Sequence, residues 1–205
     1  MNWRLAPLVT SALFFGLGMV WRSWLQKRRT GTAGNAFFTK KSLWHLTWDL
    51  LGLSNPAVFI GQGLVALAAP DSLGPWWLIP QKFALPSHVV GLILALASNA
   101  LMIMAQLNMG NSWRVGVDEN ARPGLVTGGF FRFCRNPIYF FTLCWATGFF
   151  FLLPTVLSAL MWVIFYVGIR VYISREEAYL LKTYGDEFQA YARRTGRLVP
   201  WFGRM

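Results

Sequence analysis

The sequence predicts an all-α polytopic membrane protein with five transmembrane helices, the last two a short helical hairpin, and a C-terminal amphipathic helix on the cytoplasmic side. Three observations predict it. The 205 residues are 55% hydrophobic and only 13% charged, whereas soluble domains are about a quarter charged. Uncharged runs of membrane-spanning length recur along the chain, and the cations collect between them. The 17% aromatic content and positive mean hydropathy exclude a disordered chain. Cys134 and Cys144 read as small packing residues, so a disulfide scaffold is excluded as well. A net charge of +11 suggests nucleic acid only until the cations are placed; on one face of a membrane protein they need no such partner, and none is expected.

The elements follow in order. Seventeen uncharged residues separate Arg4 from Arg22, and twenty-one separate Asp49 from Asp71, each close to the ~20 that cross hydrocarbon. The first run could imitate a signal peptide, but Trp21, Trp24 and a basic cluster follow it in place of a cleavage site. A third uncharged stretch, Phe83 to Trp113, has its apolar heart at Val89 to Leu107. The fourth, Asn136 to Ile169, holds thirty-four residues, too many for one span and barely enough for two.

Charge parity decides between those counts. Segments Arg22 to Lys41, Arg114 to Arg135 and Arg170 to Arg204 hold seventeen of the nineteen Lys and Arg, leaving only Arg4 and Lys82 elsewhere. By the positive-inside rule all three are cytoplasmic. An even number of crossings must then separate the last two, so Asn136 to Ile169 is a hairpin turning near Pro154 with legs of about 25 Å. The N-terminus is expected outside and the C-terminus in the cytoplasm. Residues 1–107 form three spans with a basic loop at 22–42; residues 108–205 form the loop, hairpin and tail of one integral domain.

Two segments carry candidate chemistry. The loop Asn108 to Arg135 contains Gly124, Gly128 and Gly129, whose backbone amides can approach a ligand closely, though in neither a P-loop nor a dinucleotide spacing. Arg135 and Tyr139, four apart where a span starts, put a guanidinium and a phenol on one helix face; the alternative is a snorkelling Arg and an interfacial Tyr. Four of the eight acids fall between Glu176 and Glu187. Ser174 with Glu177 has the form of a capping box, and Gly185 interrupts the helical spacing, so the tail also reads as a plain interfacial helix. His45 and Asp49 form a candidate polar pair, and His88 beside Pro86 reads as a loop residue. Two scattered histidines and no clustered thiols argue against a metal site.

Read together, Gly124 to Tyr139 (GLVTGGFFRFCRNPIY), a short apolar hairpin, and R-x5-EE-x2-LL-x2-YG-x2-F-x2-Y-x5-R-x2-P from Arg170 to Pro200 resemble the isoprenylcysteine carboxyl methyltransferase-like family and the related phospholipid methyltransferases. The resemblance covers roughly residues 105 to 202. It implies a membrane-embedded methyltransferase that uses S-adenosyl-L-methionine on a lipophilic acceptor at the cytoplasmic interface. It further implies that Gln106, Leu125, Val126, Thr127, Gly128, Asn136, Tyr139 and Glu177 hold the cofactor, and that Arg135, Arg170 and Glu176 are catalytic. Many relatives have His where Asn136 stands; Asn cannot titrate near neutral pH, which removes a general-base role from this position. Sterol reductases that use NADPH have a similar arginine-proline-tyrosine hairpin and tail, and a non-enzymatic membrane scaffold is the third reading.

Overall fold

The computed structural model describes residues 3–32, 34, 43–114 and 124–204, all helical or irregular. Helix α1 (Ala6–Phe15) begins with Pro7 in its first turn and runs through a π-helical segment, Gly16–Trp21, into α2 (Arg22–Thr30), giving a continuous rod Trp3–Thr30. Residues 22–30, expected as the start of a loop, are therefore helical. Good helix formers Gln26, Lys27, Arg28 and Arg29 follow the span, and the helix ends only at Gly31, whose φ of 79° suits a residue without a Cβ.

Helices α3 (Leu43–Ala68) and α4 (Ala84–Asn108) complete the first half. His88 lies within α4, where its ring stacks on Trp3 at 5.5 Å; Pro86 sits in the first turn of α4, where its missing N–H costs nothing. The side chains of His45 and Asp49, and loop residues 115–123, lie outside the described residues.

Helices α5 (Pro137–Leu152) and α6 (Val156–Arg194) are joined at Leu153–Thr155, so the turn falls at Pro154 as the charge parity requires. Their lengths are unequal. Sixteen residues give α5 only about 24 Å, while α6 has 39 residues and continues the span directly into the tail. Ser174 is thus no cap: with residues 156–173 already helical, its hydroxyl donates back to the Arg170 carbonyl at 2.9 Å. Gly185 does interrupt α6, at φ 48° and ψ −120°. Among the described residues four helices (the rod, α3, α4 and α6) are long and apolar enough to cross a membrane, with α5 a shorter apolar helix beside them. Leu85, Val90, Ile93, Leu160 and Val163 stay exposed on α4 and α6, an outer surface suited to hydrocarbon rather than water.

An aromatic core locks the bundle. Trp145 of α5, fully buried, stacks on Phe14 at 4.0 Å and meets Phe59 of α3 edge-on at 5.0 Å; Phe59 in turn meets Phe149 and Phe165. Close approach of α4 and α5 depends on small residues. A Cβ on Gly91 would meet the Gly148 carbonyl at 2.7 Å, and one on Gly148 would meet the Ala95 nitrogen at 2.6 Å. Because these neighbours are backbone atoms, they cannot swing aside. Gly148→Val should therefore destabilise the protein by about 1–3 kcal/mol or more, measured by thermal unfolding in detergent, whereas Gly61→Ala, which meets nothing within 4 Å, should be nearly neutral.

Candidate active site

The segment before α5 is shaped by local contacts. Asn108, ending α4, accepts from the Phe130 backbone N–H at 3.2 Å, and its side chain occupies the place where a Cβ on Gly129 would stand; Gly129 is at φ 59°. This fixes the single turn Gly129–Arg132 and sends residues 133–136 alongside the end of the chain. There Cys134 bridges to Gly196, and the Arg135 N–H donates to the Gly196 carbonyl at 2.8 Å. The Cys134 thiol lies against the Leu198 carbonyl; burial raises its pKa to about 11, so it is a packing thiol rather than a nucleophile.

Arg135 is enclosed by the tail. Its Nε donates to Glu177 Oε1 at 2.9 Å, Nη1 to the carbonyls of Ala192 and Thr195, and Nη2 to the Gly203 carbonyl at 3.2 Å. The other oxygen of Glu177 pairs with Arg197 Nε at 2.8 Å, and the Arg197 Nη2 donates to Ser174. Asn136 donates to the Arg197 carbonyl at 2.8 Å and reaches Glu177 Oε1 at 3.4 Å. Glu177, Arg135 and Asn136 are all buried, so this is a closed polar clamp between the start of α5 and the tail. Tyr191 reinforces it by donating to the Phe131 carbonyl at 2.7 Å.

One residue earlier on α6, Glu176 faces elsewhere. With Tyr139, to which it hydrogen-bonds, it lines a cavity of about 230 Å³. Gln106, Trp113, Arg114, Asn136 and Tyr172 complete the polar end of that cavity, and the Arg114 charge acts on Glu176. The rest of the lining is mostly apolar and comes largely from the rod, α3 and α6, including Phe14, Met19, Leu51 and Phe165. Gln106 Nε2 donates to the Gly18 carbonyl at 3.0 Å, which leaves Oε1 a buried acceptor without a hydrogen bond. A second cavity, of about 550 Å³, lies on the other side of the clamp and is lined by Arg135, Arg170, Glu177, Arg197 and the residues after Leu198.

The expected site residues are thus distributed over three places. Gln106, Arg135, Asn136, Tyr139 and Glu176 border the first cavity; Arg170 and Glu177 border the second. Leu125, Val126, Thr127 and Gly128 line neither, and Leu125 packs on the cluster of Phe188, Tyr191 and Ala192. The guanidinium of Arg135 is engaged with Glu177 and three tail carbonyls, a partner set the sequence did not show. Trp113, Arg114 and Tyr172 were not singled out in the sequence; Arg114, the first charge after the third uncharged run, was the available signal. Among the described residues no group of three or more His, Cys, Asp and Glu could hold a metal ion.

The two neighbouring acids should separate on stability. Glu177→Gln leaves two arginines short of their shared anion in a buried setting and should cost about 3–5 kcal/mol. Glu176→Gln should cost clearly less, because its partner Tyr139 can still hydrogen-bond an amide. Detergent unfolding midpoints compare them directly.

Residues 86–187 match the phospholipid methyltransferase family. The protein-S-isoprenylcysteine O-methyltransferase of Schizosaccharomyces pombe is 30% identical over 98 residues, covering 47% of this chain and 42% of that protein. The chain thus aligns with less than half the length of that relative. The matched segment contains all but the first two residues of α4, all of α5, the clamp residues Arg135, Asn136 and Glu177, and the cavity residues Tyr139 and Glu176. Residues 86–187 are thus the part of the chain that is similar to the phospholipid methyltransferase family.

Proposed function

We propose that the chain is an integral-membrane methyltransferase that uses S-adenosylmethionine and acts on a lipophilic acceptor at the cytoplasmic interface. The observation that carries this reading is the first cavity: a polar end built largely from the family segment is continuous with an apolar wall built from membrane-length helices. The polar end suits the cofactor's groups. Glu176 offers a carboxylate to an ammonium, the unpartnered Gln106 Oε1 accepts an N–H or O–H, and Arg114 attracts a carboxylate. When bound, the cofactor would supply a sulfonium methyl that passes to the acceptor by in-line displacement, with S-adenosylhomocysteine as the leaving group.

The chain's own contribution is alignment and exclusion of water. Tyr139 orients Glu176 through their hydrogen bond. Arg135, Asn136 and Glu177 are proposed as positioning residues, since the clamp they form holds the start of α5 against α6. Arg170, at the second cavity, would attract an anionic part of the acceptor. Leu125, Val126, Thr127 and Gly128 are assigned to the cofactor by the resemblance alone. The acceptor is proposed as a prenylated cysteine carboxylate or a phospholipid headgroup, the two classes that the relative and the family name.

The same reading takes α5 as a fifth, short crossing, with residues 1–107 supplying the apolar wall and residues 108–205 the motifs. The N-terminus is then outside. What supports this is the bundle order: Thr30, Leu43, Asn108 and Pro137 gather where the cations are, and Trp3 stacks on His88 at the other end. In a cysteine-free background, Phe202→Cys should resist an impermeant maleimide in intact cells and react once they are opened. Labelling in intact cells would reverse the topology.

Calorimetry in detergent tests the activity class. S-adenosylhomocysteine should bind, NADPH should not, and Glu176→Gln should weaken binding by about 1–3 kcal/mol while the protein stays folded. NADPH binding in place of S-adenosylhomocysteine would support a reductase; binding of neither would support a scaffold. Radiolabelled S-adenosylmethionine with total membrane lipid then identifies the acceptor.

A further inference from the structure

The first rod lies outside the family segment, yet it holds a completely buried arginine. Arg22, with zero exposed surface, is not snorkelling at a helix end. Its Nη1 donates to Gln26 Oε1 at 2.9 Å, its Nη2 donates to the Gly110 carbonyl at 2.7 Å, and its guanidinium lies 4.4 Å from the centre of the Trp113 ring. Gln26 adds a bond of 2.7 Å to the Asn111 carbonyl. One turn earlier, the Gly18 carbonyl in the π-helical segment takes the Gln106 amide N–H. A carbonyl cannot face another acceptor, so this contact fixes which way the Gln106 amide points and leaves its Oε1 the unpartnered atom. π-helical turns recur at functional sites, and this one borders the cavity through Gly18 and Met19.

We infer that Arg22 is a positioning residue for the cofactor end of the cavity, holding residues 106–113 so that Gln106 and Trp113 present the surface the cofactor meets. The inference rests on the proposed function for the identity of the ligand. Arg22 is not itself a lining residue: it acts through the Gly110 carbonyl, the Gln106 carbonyl at 3.5 Å and the Trp113 ring, with Gln26 fixing its other nitrogen. Lysine keeps the charge over Trp113 but cannot hold Gln26 and Gly110 with one planar fork.

Two measurements on the full chain in detergent test it. Arg22→Met should speed amide hydrogen exchange over residues 106–113 and weaken S-adenosylhomocysteine binding at least tenfold, leaving the KM for the acceptor unchanged. Arg22→Lys should recover part of both effects. Arg28→Met, on the same rod but exposed and set over Trp24, should change neither. A lowered unfolding midpoint with wild-type exchange at 106–113 and wild-type affinity would make Arg22 merely structural and overturn the inference. So would faster exchange without any loss of affinity. If Arg22→Met does not fold, Arg22→Lys and Gln26→Leu are read by the same two criteria. Should the wild type bind no S-adenosylhomocysteine, the proposed function fails and the cofactor role falls with it, whereas exchange at 106–113 still reports whether Arg22 tethers that segment.

Discussion

A single buried carboxylate organises the functional half of the molecule. Glu177 gives one oxygen to Arg135 and the other to Arg197, and these two contacts fix the start of α5, the middle of α6 and the irregular residues after Thr195 in one place. Burying an ion pair gains little net stability over an apolar replacement, but removing one partner strands the remaining charge. The clamp is therefore better understood as a device for geometry than as a source of stability. Its carbonyl acceptors, at Ala192, Thr195 and Gly203, are also C-terminal groups that no helix could satisfy, so one guanidinium answers several unmet backbone needs at once.

On that support the two acids of the Glu176-Glu177 pair divide their work. Consecutive helical residues point about 100° apart, so if one faces the arginines its neighbour must face elsewhere, here Tyr139 and the cavity. Much of the apolar lining of the same cavity comes from the rod and α3, which precede the family segment, and the rest from α6 within it. The segment that matches the family and the helices outside it thus meet in one space.

Much of the architecture was legible in the sequence because hydrocarbon imposes a coarse rule. Uncharged runs of the right length had to be helices, and the distribution of Arg and Lys forced a turn near Pro154. The rule is silent on where a span stops being a span. Ser174 and Glu177 have the spacing of a cap, but a cap requires a chain that enters the helix there, and α6 was already running. The site was legible only in part, for a similar reason. Motif spacing singled out Tyr139 near the start of α5 and Glu176 in the middle of α6, while the partners of Arg135 lie 42 to 68 residues away and the Gln106–Gly18 and Arg22–Gly110 contacts each span 88. No local pattern encodes such pairs.

The same separations impose an order on biosynthesis. The Arg135 side chain is made before every acceptor that surrounds it in the finished protein: Glu177 follows 42 residues later, and the Gly203 carbonyl 68 later. While the hairpin is being made, this guanidinium lacks the carboxylate it pairs with in the finished protein, and water or lipid phosphates can take that place. The helices can consequently be in the bilayer before a binding site exists, and a nascent chain has no competent cavity until its tail has emerged and folded back. The unfinished chain therefore carries the helices of the bundle without the clamp that joins the start of α5 to the tail.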